Sequence, residues 1–365
     1  MSMRRALPAV LLLVLALAVA ACGGGAGQDG RDGAAAAAPV LRLGMVANTV
    51  GYGTSMGREQ DLVKRAGATW LREELLWSVV EPKRGARRWA SYDRLFASAA
   101  ARGLRMLPLL SDTPSWAVTP NRRLPTRTEA FGAYVRDAVA RYGVGGTFWR
   151  AHPQYDAKLA PTWFELWNEP YLVGPQPDDA LAAARYAALA RAGIAGGRAA
   201  NPDARFLIAV DTSAAGHPGV PERWLGQLLA ADPDLLKQAD GIAAHPYNIG
   251  LGLEENALDE LEVALKAHGA GTLPIWVTEI GWSTCTVQGG CVSEDRQARD
   301  LTTFLGMVRA RYANRVEAVF VYRLRDLVVR PDFDREGAFG LIGVDGRRKP
   351  AWNAFHRFAL KLRDG

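Results

Sequence analysis

Short apolar runs alternate with longer amphipathic runs eight times between residues 41 and 362, and this alternation most constrains the fold. The short runs are rich in β-branched and aromatic residues, and the longer runs have the apolar spacing of helices. We predict strands at Leu41–Val46, Thr69–Leu71, Met106–Leu110, Trp163–Trp167, Phe206–Val210, Gly241–Ala244, Ile275–Thr278 and Ala318–Tyr322. We predict helices at Glu59–Ala66, Tyr92–Ala101, Thr126–Tyr142, Asp178–Arg198, Glu222–Leu229, Glu254–Ala267, Glu294–Tyr312 and Ala351–Leu362.

Eight strand–helix units in series predict one α/β domain, a (β/α)8 TIM barrel. The length of 365 residues alone suggests two domains, but barrels of this kind run longer than most domains. Parallel strands buried on both faces should be continuous apolar runs, as Met106–Leu110 and Phe206–Val210 are. The alternative is a doubly wound sheet, which expects a glycine-rich turn after an early strand. Gly51-Tyr52-Gly53 matches that turn only weakly.

The chain begins with the pattern of an export signal. A basic segment, Met1–Arg5, precedes an apolar run, Ala6–Ala21, which is shorter than the roughly 20 residues of a membrane-spanning helix. The end of this run, Ala20-Ala21-Cys22-Gly23, resembles a bacterial lipobox, in which the cysteine carries a diacylglycerol. An ordinary cleavage signal is the alternative. We predict a signal peptide over residues 1–21, a lipidated Cys22 and Gly/Ala-rich tether over 22–39, and the barrel domain over 40–365. The expected location is the outer face of a bacterial membrane or the medium outside the cell.

Two further cysteines, Cys285 and Cys291, lie six positions apart in a glycine-bearing segment. Export implies an oxidising compartment, so we predict a disulfide between them. A zinc site is the alternative, but zinc takes about four ligands, and no His or other Cys is near in the sequence. No metal or cofactor motif occurs elsewhere in the sequence, so we expect neither group.

Charge argues against a nucleic-acid partner. The net charge of +6 falls to +4 once Arg4 and Arg5 leave with the signal, because 42 basic residues then face 38 acidic ones. The sequence contains no long block of Lys and Arg, which is the pattern that attracts nucleic acids. Contact with a membrane is expected through the lipid anchor alone, and we expect a monomer.

Two predicted strands end in carboxylates. The fourth strand continues into Trp167-Asn168-Glu169-Pro170, and the seventh continues into Thr278-Glu279-Ile280-Gly281-Trp282. Functional residues of such barrels cluster at the carboxyl ends of the strands. Strands four and seven lie on opposite sides of an eight-strand ring, so Glu169 and Glu279 can face each other. Two opposed carboxylates, one protonated and one ionised, are what glycoside hydrolysis requires.

The same two motifs resemble glycoside hydrolase clan A, the barrel enzymes with catalytic glutamates on strands four and seven. The resemblance implies that Glu169 is the general acid/base and Glu279 the nucleophile. It implies that Asn168 holds the 2-hydroxyl of the sugar. It also implies retention of configuration through a glycosyl-enzyme intermediate, with the two carboxyl groups about 5–5.5 Å apart.

Other strand ends agree with this resemblance. His245-Pro246-Tyr247, after the sixth strand, looks like the His-x-Tyr of the clan, and Arg72, after the second, looks like its strand-two arginine. The resemblance implies that Tyr247 donates a hydrogen bond to Glu279, that His245 lines the site and that Arg72 favours a charged nucleophile. A lone His or Arg is more often a structural residue, which is the alternative for each.

Aromatic residues near strand ends are candidates for a sugar platform. Trp77, Trp116 and Trp282 follow strands two, three and seven; any one of them is more often a core residue, and we expect at least one to stack on a sugar. Many members of the clan carry Trp on strand eight. This chain has Tyr322 there, so either Tyr322 replaces the Trp or the predicted register is shifted.

Four other glutamates receive structural interpretations. Glu165 sits within strand four and can point into the barrel, where a buried carboxylate needs a partner. We expect an arginine from a neighbouring strand to supply it. Glu73, Glu74 and Glu81 are expected in loops or at the surface.

The resemblance covers residues 41–358 and is greatest to family 39, which includes xylosidases, iduronidases and hydrolases of bacterial exopolysaccharide; family 5 shares the same glutamates. The segment Leu76–Pro82 and the ending Lys349-Pro350-Ala351-Trp352 favour family 39. The expected partner is a polysaccharide or oligosaccharide. The alternative is a non-catalytic surface protein that binds carbohydrate on the same barrel, since a fold does not determine a function. The presence of both carboxylates favours the enzyme.

Overall fold

Eight parallel strands close into a barrel in chain order, with β8 beside β1. The structure is a computed structural model and describes residues 41–117, 124–172, 180–212, 219–247, 253–286, 289–328 and 334–364. The strands are β1 (Arg42–Val46), β2 (Trp70–Leu76), β3 (Arg105–Ser111), β4 (Trp163–Leu166), β5 (Arg205–Val210), β6 (Gly241–Ala244), β7 (Ile275–Ile280) and β8 (Val316–Tyr322). The predicted (β/α)8 barrel is therefore confirmed.

Helices follow the strands along the chain, and four short ones were not predicted. The helices are α1 (Met56–Ala66), α2 (Trp77–Val80), α3 (Ala90–Ala101), α4 (Thr128–Tyr142), α5 (Thr147–Ala151), α6 (Ala180–Ala200), α7 (Val220–Ala231), α8 (Leu235–Gln238), α9 (Leu253–Ala267), α10 (Glu294–Arg311), α11 (Asp334–Gly337) and α12 (Pro350–Asp364). The four extra helices, α2, α5, α8 and α11, have four or five residues each. Segments this short carry too little periodicity to show in a sequence. Within the described ranges, no helix has both the length and the apolar character needed to cross a membrane.

Strand β2 differs most from its prediction. It runs from Trp70 to Leu76 instead of ending at Leu71, because its charged residues are buried and paired and not exposed in a loop. Arg72 therefore lies within the strand and not after it. Alternation along the strand directs Trp70, Arg72 and Glu74 into the barrel and Glu73 outward.

The predicted start of α4 is wrong as well. The helix begins at Thr128 and not at Thr126, and no side chain accepts a hydrogen bond at its cap residue, Arg127. The hydroxyl of Thr126 lies 3.5 Å from the carbonyl oxygen of Ala117 instead. By contrast, α10 begins as predicted, because the hydroxyl of Ser293 accepts a hydrogen bond from the backbone N–H of Arg296.

Aromatic rings fill the barrel interior below its mouth. The inward cluster consists of Val46, Trp70, Leu107, Trp163, Leu207, Ala243, Trp276, Ala318 and Phe320. Trp276 lies at its centre, with its ring 5.6 Å from that of Trp70 and 4.8 Å from that of Trp163. A second and larger core packs between the strands and the helices. The filled interior leaves the carboxyl ends of the strands as the place for a site.

A disulfide joins Cys285 to Cys291 after β7, with their Cα atoms 5.2 Å apart. The predicted pairing is confirmed. The predicted signal peptide, the lipidation of Cys22 and the tether lie outside the described residues, and they stay predictions.

Gly44 in β1 is required by the packing of the barrel interior. A Cβ atom at this position would lie 2.3 Å from two ring carbons of Phe320, which is fully buried. We expect Gly44→Ala to lower the free energy of unfolding by about 1–3 kcal/mol, the usual cost of overpacking, as measured by urea denaturation.

Gly226→Ala in α7 is the matched control, because a Cβ there meets open space. Alanine is also the better helix former, so this variant should be as stable as the parent or slightly more stable. Equal losses in the two variants would contradict the packing argument.

Candidate active site

A cavity of about 370 Å³ opens at the carboxyl ends of the strands. Its lining comes from six strands or the segments after them: Val46, Asn48, Glu74, Asn168, Glu169, Leu172, Tyr247, Glu279, Tyr322, Arg335, Glu336 and Phe339. Four of these residues are glutamates, and two of the four are Glu169 and Glu279. The cavity thus lies where a barrel of this type holds its functional residues.

The backbone at the end of β4 positions Glu169. Trp167 and Glu169 both have positive φ, at 72° and 42°, a conformation that is uncommon for residues other than glycine and that clusters at functional sites. The turn at Trp167 directs its indole outward against Phe131, with the ring centroids 5.9 Å apart. Asn168 and Glu169 then line the cavity.

Arg72 is the cation beneath the cavity and is 1% exposed. Its Nε and Nη2 donate to the two carboxylate oxygens of Glu165 over 2.6 and 2.9 Å. Its Nη1 donates to Oε1 of Glu279 over 2.5 Å, and Nη2 also donates to Oδ1 of Asn168 over 2.7 Å. One guanidinium therefore holds Glu165 of β4, Asn168 just after β4 and Glu279 of β7 in fixed positions.

Glu165 was predicted to pair with an arginine from a neighbouring strand. Its partner is an arginine, Arg72, but this residue belongs to β2, which is two strands away from β4 in the barrel. Burial alone would raise the pKa of Glu165. The charge and hydrogen bonds of Arg72, with the nearby His245, outweigh burial and lower this pKa to about 2.

Glu279 at the end of β7 accepts one hydrogen bond at each oxygen. Arg72 donates to Oε1, and the phenol of Tyr247 donates to Oε2 over 3.0 Å. Burial and the negative charge of Glu279 raise the pKa of Tyr247 well above its ordinary value, so the phenol keeps its proton as a donor. The carboxylate of Glu279 is oriented toward the cavity by these two contacts.

Glu169 is paired with His245. Nδ1 of His245 lies 3.0 Å from Oε1 of Glu169, and Nε2 lies 2.9 Å from the hydroxyl oxygen of Thr278. Burial disfavours a charged imidazole, but the charge of Glu279 and the contacts with Glu165 and Glu169 raise the pKa of His245 to about 10. Burial likewise opposes ionisation of Glu169, and its hydrogen bond with His245 lowers its pKa overall.

Carboxylate oxygens of Glu169 and Glu279 and a ring nitrogen of His245 all lie within 4.8 Å of one another. These are donor types that bind metal ions. In this structure they already pair with one another and with Arg72, so a cation would have to break those contacts.

The predicted aromatic residues divide between the cavity and the core. Tyr322 lines the cavity and makes an edge contact with Tyr247 at 6.3 Å. Trp77 is fully buried. Trp116 packs edge-on against Trp77 at 5.2 Å and donates from Nε1 to the carbonyl of Glu81. Trp282 is 6% exposed and packs against Phe304. None of these three Trp residues is among those that line the cavity.

The expectation is wrong for Glu73 and Glu74, which lie within β2. Glu73 is fully buried and accepts hydrogen bonds from the backbone and hydroxyl of Thr49. Glu81 lies in a loop after α2 as expected, but it is buried and accepts a hydrogen bond from Nε1 of Trp77. Glu74 lines the cavity. The missed signal was the length of β2: a strand three residues longer than predicted includes Glu74, on the inward face with Arg72.

Glu336, Phe339 and Asn48 are further lining residues that the sequence did not indicate. Glu336 belongs to the short helix α11 and Asn48 follows β1 with a φ of 47°. Burial, and then the charges of Glu169 and Glu279, raise the pKa of Glu336 above its ordinary value although Arg335 opposes this.

Comparisons with known proteins support the barrel and little more. No family model matches the chain, and no curated protein sequence matches it. A family 39 glycoside hydrolase from the gut symbiont Bacteroides cellulosilyticus WH2 is a similar solved structure, with a TM-score of 0.65 and 21% identity over 89% of this chain. An exo-beta-1,4-mannosidase from Opitutaceae bacterium strain TAV5 has a TM-score of 0.61 and 18% identity over 90% of this chain.

A GH5_18 protein from Streptomyces cattleya, solved in complex with GlcNAc, has a TM-score of 0.62 and 18% identity over 89% of this chain and 81% of its own. The chain spans only 64% and 61% of the first two structures. At these identities the similarity establishes the fold. The families it reaches, 39 and 5, are those that the sequence motifs resemble.

Glu165 is expected to stabilise the floor of the cavity strongly. Glu165→Gln removes the charge that pairs with the buried Arg72, and breaking a buried pair from one side costs about 3–5 kcal/mol. Urea denaturation should show a loss of this size. Glu317→Gln is the matched control, because Glu317 pairs with Arg42 at 2.7 Å with both side chains partly exposed. Its cost should stay below about 1 kcal/mol; a similar loss in both variants would contradict the role of Arg72.

Proposed function

We propose that this protein is a retaining glycoside hydrolase that cleaves O-glycosidic bonds of a polysaccharide or oligosaccharide. The observation that carries the proposal is the approach of Glu169 and Glu279 across the cavity, with carboxylate oxygens within 4.8 Å. Retaining glycosidases hold their two carboxyl groups about 5–5.5 Å apart, whereas inverting enzymes need about 6.5–9.5 Å to admit a water. The close approach of these oxygens supports the retaining geometry.

In the proposed mechanism Glu279 is the nucleophile. Its carboxylate attacks the anomeric carbon as the bond to the leaving oxygen breaks, and a proton from Glu169 neutralises that oxygen. Water then attacks the glycosyl–enzyme bond, gives its proton to Glu169 and releases the sugar with Glu279 restored. Asn168 lines the cavity beside Glu169, where it is suited to hold a sugar hydroxyl.

The charge balance under the cavity suits a reactive nucleophile. Arg72 orients Glu279, yet two of its nitrogens are bound to Glu165. Because Glu165 is itself an anion, the set of Arg72, Glu165 and Glu279 keeps a net charge of −1. The charge of Arg72 is already balanced by Glu165, so its contact with Glu279 serves to orient that carboxylate.

Carbohydrate as the ligand is supported by the lining and by the neighbours. The cavity presents Glu74, Glu336 and the phenols of Tyr247 and Tyr322, which can bond to hydroxyl groups. A Streptomyces cattleya GH5_18 structure contains GlcNAc, and a Bifidobacterium longum GH5_18 variant contains Manb1-4GlcNAc. A polymer substrate is proposed from the predicted attachment to the cell envelope.

The nucleophile assignment is tested by turnover and product analysis. The protein should release reducing sugars from one member of a panel of polysaccharides, and proton NMR should show the β or α anomer of the substrate retained in the first product. Glu279→Gln should abolish this turnover, because an amide does not form the glycosyl–enzyme bond, while substrate binding by calorimetry persists.

Glu317→Gln, the same change on the far side of the barrel from the cavity, is the control and should keep full activity. Inverted product would overturn the retaining mechanism. Binding without turnover in the parent protein would support the alternative, a carbohydrate-binding protein without catalysis.

The acid role of Glu169 predicts a dependence on the leaving group. Glu169→Gln should slow hydrolysis of alkyl glycosides by about 10²–10⁴-fold, the usual contribution of general acid–base catalysis. Activated aryl glycosides leave without a proton, so formation of the glycosyl–enzyme from them should slow much less in pre-steady-state measurements. Equal losses for both substrates would place the acid elsewhere.

A further inference from the structure

Thr278 sits between His245 and Glu165 beneath the cavity and is fully buried. Its hydroxyl oxygen lies 2.9 Å from Nε2 of His245 and 3.0 Å from Oε1 of Glu165. The same carboxylate oxygen accepts from Nη2 of Arg72. A continuous hydrogen-bonded chain therefore links Arg72, Glu165, Thr278, His245 and Glu169.

A β-bulge in β7 places Glu279 on the same face as Thr278. Val277 pairs with Val319 and Ile280 pairs with Val321, so β7 has one more residue than β8 in this stretch. Consecutive strand residues normally point to opposite faces, but a bulge breaks the alternation. Thr278 and Glu279 consequently both face the interior, where one contacts His245 and the other the cavity.

The single proton of the Thr278 hydroxyl determines the proton positions on His245. Glu165 is ionised through its pairing with Arg72, so it can only accept, and the hydroxyl must donate to it. The hydroxyl oxygen then has only lone pairs for His245, and Nε2 must carry a hydrogen. In the neutral ring this leaves Nδ1 bare and facing Glu169.

Nδ1 of His245 and Oε1 of Glu169 are 3.0 Å apart. A hydrogen bond between these two atoms needs one proton, carried by one of them. One proton is therefore shared by the pair. It resides on Nδ1 when His245 is cationic and Glu169 ionised, and on Glu169 when both are neutral. The total charge of the pair is the same in the two forms.

We propose that Thr278 is a positioning residue that fixes a hydrogen on Nε2 of His245, so that Nδ1 supplies the acid proton to Glu169. The catalytic consequence rests on the proposed function, whereas the proton position on His245 does not. In the first step the proton moves from Nδ1 to Oε1 of Glu169 and on to the leaving oxygen, leaving His245 neutral. In the second step Glu169 takes a proton from water and returns it to Nδ1.

The other charged and titratable groups around the pair are Glu165, Arg72, Glu279, Tyr247, Tyr171 and Glu336. Among them the anions favour a proton on His245, and the cation of Arg72 opposes it. The two nearest anions, Glu165 and Glu279, each lie 3.9 Å from a ring nitrogen of His245. In the resting protein the proton therefore sits on the imidazole, and Glu169 receives it when a leaving oxygen competes for it.

The test is the protonation of His245 followed by ¹⁵N NMR of histidine-labelled protein. The chain contains five His, and the signals lost in His245→Gln identify the ring. We expect Nε2 to carry a hydrogen throughout the pH titration, with Nδ1 alone losing its proton at alkaline pH. A neutral ring protonated on Nδ1 with a bare Nε2 would overturn the proposal, whatever the activity of the protein.

Thr278→Val and Thr278→Ser form the matched pair of variants. Valine has the shape of threonine without the hydroxyl, so Nε2–H loses its acceptor and the cationic ring is destabilised. In Thr278→Val the alkaline limb of the pH profile of kcat/KM should therefore move to lower pH. The rate of hydrolysis of alkyl glycosides should fall by about tenfold, which is part of what general acid catalysis supplies. Serine keeps the hydroxyl and should restore both the limb and the NMR pattern.

Thr302→Val in α10, where the hydroxyl bonds to backbone carbonyls of the same helix, controls for the loss of a threonine hydroxyl at a partly buried position elsewhere. A Thr278→Val protein that is less stable but has the parental pH profile and ring protonation would show a purely structural role. If Glu169→Gln and Glu279→Gln retain activity while Nε2 stays protonated, the proposed function fails and the positioning role of Thr278 toward His245 stands.

Discussion

The bidentate pairing of Arg72 with Glu165 is the interaction on which the rest of the site depends. Both groups are almost fully buried, so neither charge is tolerable without the other. Once paired, the guanidinium has one further nitrogen for Glu279, and the carboxylate has one oxygen for Thr278. The orientation of the nucleophile and the proton positions on His245 both follow from this one pair.

The alternation of strands and helices was enough to predict the barrel, because each unit repeats the same local pattern. The two cavity glutamates were also predictable, since each follows a strong apolar strand in a short motif. What the sequence did not show was the extent of β2. The run Arg72-Glu73-Glu74 is charged, as loops often are. It forms a strand because Arg72 pairs with β4 and β7 and Glu73 with the segment after β1.

Departures from regular strand geometry are a second feature that the sequence did not show. Thr278 and Glu279 share one face only because of the bulge in β7, and a register shift between two strands has no signature in either strand alone. Trp167 turns outward through its positive φ, which period-two reasoning does not anticipate. The Trp residues proposed as a platform lie near strand ends in sequence, yet Trp77 and Trp282 are buried in the core and Trp116 is half-buried against Trp77.

The indole rings beneath Arg72 have a consequence for how a long substrate is handled. Trp70, Trp163 and Trp276, with Phe320 against Gly44, fill the barrel from wall to wall. The barrel interior is therefore closed below the cavity and does not form a tunnel. A polymer cannot thread through its axis, so a chain being cut lies across the rim, and both fragments depart by the side from which the substrate came.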